Sequence, residues 1–314
     1  MQWIRNLTLG AVMASAAALA SAQNIGVGTM SQGTISFSTG SVIAKVMKEN
    51  MAIESRVQPY SGETVLVPLI NNGEIEFGIA NVLEAQQAHS GQGSFSGRAQ
   101  KDLRVAAVLY PLRTAYFVRA DSDIQSLADL KGKRVTVGFS AMGTVDIIAR
   151  ALLSAGGLKE GDFRPVLVPN VVAGATQLQN GRADAFFFAV GAAKVAEVNA
   201  AVPLRILPMP TDEASLARAR AIFPDGYPST VNPGANFVGV SAPTATLGYD
   251  NLLLTSTKVP DALVTKVLNG LATQKEALIA GFPQFRGLDP KLLVKPQLAT
   301  PHHPASLAWA KARP

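Results

Sequence analysis

The chain has 314 residues, 48% of them apolar and 16% charged, with a formal net charge of +6 and no cysteine. That length fits one large domain or two ordinary ones, with enough apolar side chains to bury a sizeable core. The missing cysteines exclude disulfides, thiolate metal sites, cysteine nucleophiles and a lipidated cysteine anchor. The positive charge forms no Lys/Arg run and no basic–aromatic interleaving, which argues against a nucleic-acid groove.

The first segment has the pattern of a secretory signal. Arg5 supplies a positive n-region, Leu7 to Leu19 is an apolar stretch, and Ala20-Ser21-Ala22 satisfies the small-residue cleavage rule. The apolar run is shorter than the ~20 residues needed to span a bilayer, and polar Gln23-Asn24 follow at once. The expectation is a signal peptide over residues 1–22, export to the periplasm, and a mature chain starting near Gln23. No later stretch is long and apolar enough to span.

Strand-like Ile25-Gly26-Val27-Gly28 then leads through a loop to Gly33-Thr34, and Val42, Ile43, Val46 and Met47 stand at helical spacing. A short strand at Arg56-Val57-Gln58-Pro59 precedes a helix bearing Val65, Leu66, Leu69 and Ile70, which Asn72-Gly73 should end. Strand Phe77-Gly78-Ile79-Ala80 closes the unit. Leu103 to Tyr110 is expected as a last strand, Ala115 to Val118 as a crossing strand, and Ser126 to Asp129 as a capping box opening a short helix.

The unit then recurs. Val135-Thr136-Val137-Gly138 leads to Gly143-Thr144, followed by a helix with Val145, Ile148, Leu152 and Leu153 and a strand at Val166-Leu167-Val168. A helix around Ala175 to Leu178 stops at Asn180-Gly181, ahead of strand Ala185-Phe186-Phe187-Phe188. The return strand is placed at Tyr249 to Leu254. A helix with Leu263, Val267, Leu268 and Leu271 should pack back on the first unit, and the proline-rich end is a surface tail or a docking segment.

Strands alternating with helices make mostly parallel sheets with helices on both faces, and ligands bind beyond the carboxyl ends of such strands. Two repeated α/β units therefore predict two lobes, one of residues 23–113 plus 248–314 and one of residues 114–247, facing each other across a cleft. The loops Val27 to Thr34 and Val137 to Thr144 each combine glycine, hydroxyls and a helix N-terminus, which suits a carboxylate or phosphate. Plain helix capping by Thr34 and Thr144 is the alternative for either loop alone; their pairing favours a ligand site. Neither loop is a nucleotide motif: Ser31 stands where the dinucleotide fingerprint needs glycine, and Thr34 and Thr144 stand where a phosphate loop needs lysine. Arg113 offers a carboxylate partner, or is a solvated hinge residue.

No catalytic set emerges. The three histidines are His89, His302 and His303, without zinc-binding spacing. Glu76 and Asp184 occupy matching places ahead of the closing strands and read as solvated or capping carboxylates. No metal and no cofactor is expected.

Several runs together resemble the TAXI family, the solute-binding receptors of tripartite ATP-independent periplasmic (TRAP) transporters. They are Ile25 to Thr29 with Gly33-Thr34, Asn72-Gly73-Glu74 before Phe77 to Ala80, Leu109-Tyr110-Pro111, Val118 to Ser122 with Ser126 to Val135, and Asn180-Gly181 with Asp184 to Phe188. The resemblance implies a two-lobe, type II (Venus-flytrap) periplasmic-binding-protein architecture of α/β class. It implies a monomer that captures a small organic anion, such as a dicarboxylate or an amino acid, and delivers it to the subunits of a TRAP membrane permease. Carried over by position, it implies a site lined by Ser31, Gly33, Thr34, Asn81, Ser140, Gly143, Thr144, Phe188 and Ala189, with Arg113 nearby. Three departures bear on the ligand: Ile35-Ser36 replaces a pair of tyrosines, Asn81-Val82-Leu83 replaces a Gln-Ser-Asp pattern, and Leu112-Arg113-Thr114 stands where the family often has an acidic residue after the Tyr-Pro pair. Two other functions stay open, a periplasmic enzyme on this scaffold and a receptor presenting ligand to a membrane sensor.

Overall fold

A computed structural model of the protein describes residues 24–313; the expected signal peptide and its cleavage point lie outside the described residues. In chain order the elements are β1 (Ile25–Thr29), α1 (Ile35–Met51), β2 (Ser55–Pro59), α2 (Glu63–Asn71), β3 (Phe77–Asn81), α3 (Val82–Ser90) and β4 (Leu103–Arg119). Next come β5 (Arg134–Val137), α4 (Gly143–Ala155), β6 (Arg164–Leu167), α5 (Val171–Gln179), β7 (Ala185–Ala189), α6 (Ala193–Ala201) and β8 (Leu204–Ile206). The chain finishes with α7 (Glu213–Ile222), β9 (Tyr227–Val231), β10 (Thr244–Ser256), α8 (Asp261–Thr273), α9 (Lys275–Gly281) and α10 (Pro304–Lys311).

Two strands hold the lobes together. The expected last strand and crossing strand of the first unit are one strand, β4, which no turn interrupts. Its first part pairs with β10, and its last residues lie between β7 and β8. Lobe one reads β2-β1-β3-β10-β4 and lobe two β6-β5-β7-β4-β8, so a crossing strand takes the fourth place in both. Parallel strands buried on both faces are mostly apolar; every residue of β1 and β3 is buried, and only their last residues, Thr29 and Asn81, are polar. The edge strands β2 and β6 are half-exposed or exposed, and Leu167 at the end of β6 stands 73% exposed.

The repeat has a fixed register. Helices α2 and α5 occupy 63–71 and 171–179, and strands β3 and β7 occupy 77–81 and 185–189, a constant displacement of 108 positions. Ile25 faces Ser55 and Arg134 faces Arg164, while Val27 faces Phe77 and Val135 faces Ala185. The matched carboxylates are strand anchors: Glu76 Oε2 accepts the Gly26 N–H at 2.7 Å, and Asp184 Oδ2 accepts the Arg134 N–H at 2.8 Å.

This register corrects the pairing of the two Gly-Thr loops. Helices α1 and α4 begin at Ile35 and Gly143, again 108 apart, so Thr144 corresponds to Ser36 and Thr34 to Met142. Thr34 is a true N-cap: its Oγ1 accepts the Phe37 N–H at 3.2 Å and donates to the Ser31 carbonyl at 2.7 Å. Thr144 lies inside its helix, whose N-cap Met142 has no side chain able to accept. The Gly-Thr pairs match in sequence at a spacing two residues off the structural repeat.

Helix α8 packs on α1, where Gly270 meets the Met51 side chain. The proline-rich end docks instead of trailing. The Val105 N–H donates to the Pro301 carbonyl at 3.0 Å, the His303 N–H donates to the Val105 carbonyl at 2.9 Å, and Ser306 Oγ donates to the Ala106 carbonyl at 2.8 Å. Both terminal histidines are buried; the His303 Nδ1 accepts the Ala305 N–H at 3.2 Å at the start of α10.

Candidate functional site: the inter-lobe cleft

The carboxyl ends of β1, β3 and β7, with the helices that follow, surround a cleft of about 580 Å³, counting the part open to solvent. Lobe one contributes Met30, Thr34, Ile35, Ser36, Ile79, Asn81 and Glu84; lobe two contributes Met142, Val145, Val171, Phe187, Phe188 and Ala189. Leu112, Thr114, Tyr249 and Asn251 from the two crossing strands form the rear. The walls are mostly apolar, with a few convergent polar groups, the composition expected of a small-molecule site. No lysine, arginine or histidine is among the described residues that line it.

The lobes touch around this cleft. The Gly33 carbonyl accepts the Lys194 N–H of α6 at 3.1 Å. Gly33 itself has φ +90°, a left-handed conformation open to glycine, and a Cβ there would crowd Lys194. A Cβ on Gly62 would collide with the Ala141 carbonyl of the opposite loop, so only glycine permits that approach.

At the lobe junction stands a buried cluster of polar groups. Glu63, the first residue of α2, is 1% exposed and reaches across to the first turn of α4. Its Oε1 accepts the Thr144 N–H at 2.9 Å, its Oε2 accepts the Thr144 hydroxyl at 2.6 Å, and the Gly143 amide also bonds to it. An N-terminus left without a capping side chain by Met142 is thus capped by a carboxylate from the other lobe. Asn81 Nδ2 donates to Thr144 Oγ1 at 3.2 Å and to Glu84 Oε2 at 3.3 Å, while Asn81 Oδ1 caps α3 by accepting the Glu84 N–H at 2.8 Å.

Two carboxylates therefore share this junction. Burial raises the Glu63 carboxyl above its ordinary value, with the bonds from Thr144 and Gly143 opposing. Burial first, and the Glu63 charge second, push the Glu84 carboxyl well above the usual range. Glu84 is 2% exposed, and its Oε1 has no hydrogen-bond partner among the described residues.

The residues singled out from sequence divide accordingly. Thr34, Asn81, Phe188 and Ala189 line the cleft. Thr144 and Gly143 lie beside it with their donors turned to Glu63. Ser31 donates to the Tyr60 carbonyl at 3.4 Å, and Ser140 is exposed; with Gly33, neither lines the cavity. Arg113 lies elsewhere: its guanidinium sits 5.3 Å from the Phe237 ring centroid, and Nη2 donates to Gln284 Oε1 at 2.9 Å. Glu63 and Glu84 have no strong sequence signal, although Asn81-Val82-Leu83-Glu84 has the spacing of a capping box.

A profile of the NMT1-like family matches residues 27–309. The chain belongs to this family. The NMT1-like chain is similar to the periplasmic aliphatic sulphonate binding protein SsuA of Escherichia coli, at 18% identity and TM-score 0.50 over 93% of this chain and 84% of that one. It is similar to PhnD1 of Prochlorococcus marinus, solved with methylphosphonate, at 11% identity and TM-score 0.56 over 85% and 91%. A ligand-binding component of an ABC-type import system from Staphylococcus aureus matches at 10% identity and TM-score 0.52, over 92% and 90%. At such identities the likeness is one of fold. This NMT1-like chain has the two-lobe α/β fold of periplasmic binding proteins.

Proposed function

We propose that the protein is a periplasmic solute-binding receptor that closes two lobes over one small solute and releases it, unchanged, to a membrane permease. The observation that carries this reading is the cleft itself, lined by both lobes and by the strands that join them. Its lining has no nucleophile paired with a base, which speaks against an enzyme. The TAXI-like runs, Ser126 to Val135 and Asp184 to Phe188 above all, favour a TRAP permease as the acceptor; the fold alone suits an ABC permease equally.

The organic-anion expectation has support from that resemblance and from the sulphonate and phosphonate receptors of like fold. Against it stand a carboxylate in the lining, the lack of a lining cation, and the engagement of the α4 amides by Glu63. The geometry is best served by a small, largely apolar solute. Native mass spectrometry of freshly purified protein, followed by small-angle scattering before and after the bound compound is removed, tests the function. A carried small molecule whose removal opens the lobes is expected. A new product formed from that compound would make the protein an enzyme, and a scattering profile indifferent to every solute would refute a receptor.

A further inference from the structure

Resting on the receptor reading, and going on to the class of its solute, we infer that the cleft takes a small apolar solute bearing a protonated nitrogen, with Glu84 as its counter-ion. Glu84 lines the cavity and is buried, and one of its carboxylate oxygens has no hydrogen-bond partner among the described residues. A buried carboxylate is costly unless it is paired and hydrogen-bonded. The other oxygen accepts the Asn81 side-chain amide at 3.3 Å, and the Asn81 backbone amide also bonds to the carboxyl. What is missing is a donor, preferably a charged one.

The surroundings select against the opposite charge. Glu63 lies close enough to raise the Glu84 carboxyl, and an anionic solute would meet the same repulsion at this junction. The cation that could offset it is absent from the lining, since Arg113 is engaged with Gln284 and Phe237 outside this cavity. The helix amides that would receive an anion at α4 are already bonded to Glu63. The rest of the wall (Met30, Ile35, Leu112, Val145, Phe187 and Phe188) calls for a hydrocarbon body. A cation beside Glu84 lowers its raised carboxyl and favours the charged form, so the solute replaces a proton.

The test uses matched probes that differ only in charge: 2-phenylethylamine, 2-phenylethanol and 3-phenylpropanoate, and hexylamine, hexan-1-ol and hexanoate. Each is titrated at pH 8 into the exported protein and into Glu84→Gln, with Glu84→Met as a second neutral variant and circular dichroism confirming each fold. The amines should bind the wild type most tightly and lose about tenfold or more in the variants, while the alcohols should bind all three proteins alike. Tighter binding of the carboxylates, or an amine affinity indifferent to Glu84, overturns the cation class and leaves the receptor intact. Absence of binding by all six also overturns this class, and the receptor is then judged by the separate native-mass and scattering measurements.

Discussion

Replacing Thr144 by valine removes one hydroxyl and nearly nothing else, because the side chain is fully buried and the two residues are close in volume. The hydroxyl donates to Glu63 Oε2 at 2.6 Å and accepts from Asn81 Nδ2 at 3.2 Å, so it joins the lobes through one charged and one longer neutral bond. A bond to a charged group contributes about 1.5–3 kcal/mol and a neutral one about 0.5–1.5. With the two sharing one atom, about 2–3 kcal/mol is a reasonable combined loss. At about 1.4 kcal/mol per tenfold, the lobe junction should open roughly 30- to 150-fold more often. Amide hydrogen exchange at pH 8 reads this directly: protection of the residue 143 and 144 amides should fall by that factor. The first turn of α1, capped within its own lobe by Thr34, should be unchanged. If Thr144→Val leaves the α4 amides as protected as before and melts with the wild type, Glu63 does not hold the lobes together.

Further expectations follow from the same geometry. The Glu84 carboxyl is raised in the folded state, so the wild type loses stability as pH rises from near the ordinary 4.5 to the folded value. Glu84→Gln should therefore be the more stable protein at pH 8, the gap closing on acidification by up to about 1.4 kcal/mol per pH unit; a gap independent of pH would refute the burial argument. The Asp184 carboxyl is held below 3.8, chiefly by its bond to the Arg134 side chain. Its contribution is present above that pH and lost as pH falls through the lowered value, so Asp184→Asn should cost about 1 kcal/mol in melting experiments at pH 7 and almost nothing in strong acid. Trp309 is 8% exposed and donates to Asn269 Oδ1 at 2.8 Å. Trp309→Ala should cost about 3–5 kcal/mol, whereas a surface tail would give no change in chemical denaturation.

The architecture was legible because its determinants are local and periodic. Val42, Ile43, Val46 and Met47 mark one helix face, Asn72-Gly73 and Asn180-Gly181 end two helices, and the order of elements repeats. The continuity of β4 was hidden by Pro111, which reads as a break yet sits within the part of the strand, Leu103 to Thr114, that β10 pairs. The site was less legible. Glu63 follows Gly62 in a polar stretch and has the look of a solvated first-turn acid; only the approach of the other lobe buries it. Gly143-Thr144 imitates Gly33-Thr34 closely enough to suggest equivalence. What separates them is the helix start, where Met142 leaves the helix uncapped and turns Thr144 toward Glu63. Arg113 has a charge that suits an anion, and its direction is set by Gln284, distant in sequence.

The fourth strand of the lobe-one sheet is made long after its neighbours. Strands β1 to β4 are all synthesised by residue 119, but the place between β3 and β4 stays vacant until residues 244–256 exist. Lobe two folds around the far end of β4, yet that strand is held along its first part by the latecomer. Lobe one thus cannot complete its sheet from a partial chain, whereas the lobe-two strands are all present by residue 206; the final step is the insertion of a middle strand, a distant pairing that forms slowly. Once β10 is in place, both sheets share their central strands and should melt together in a single transition.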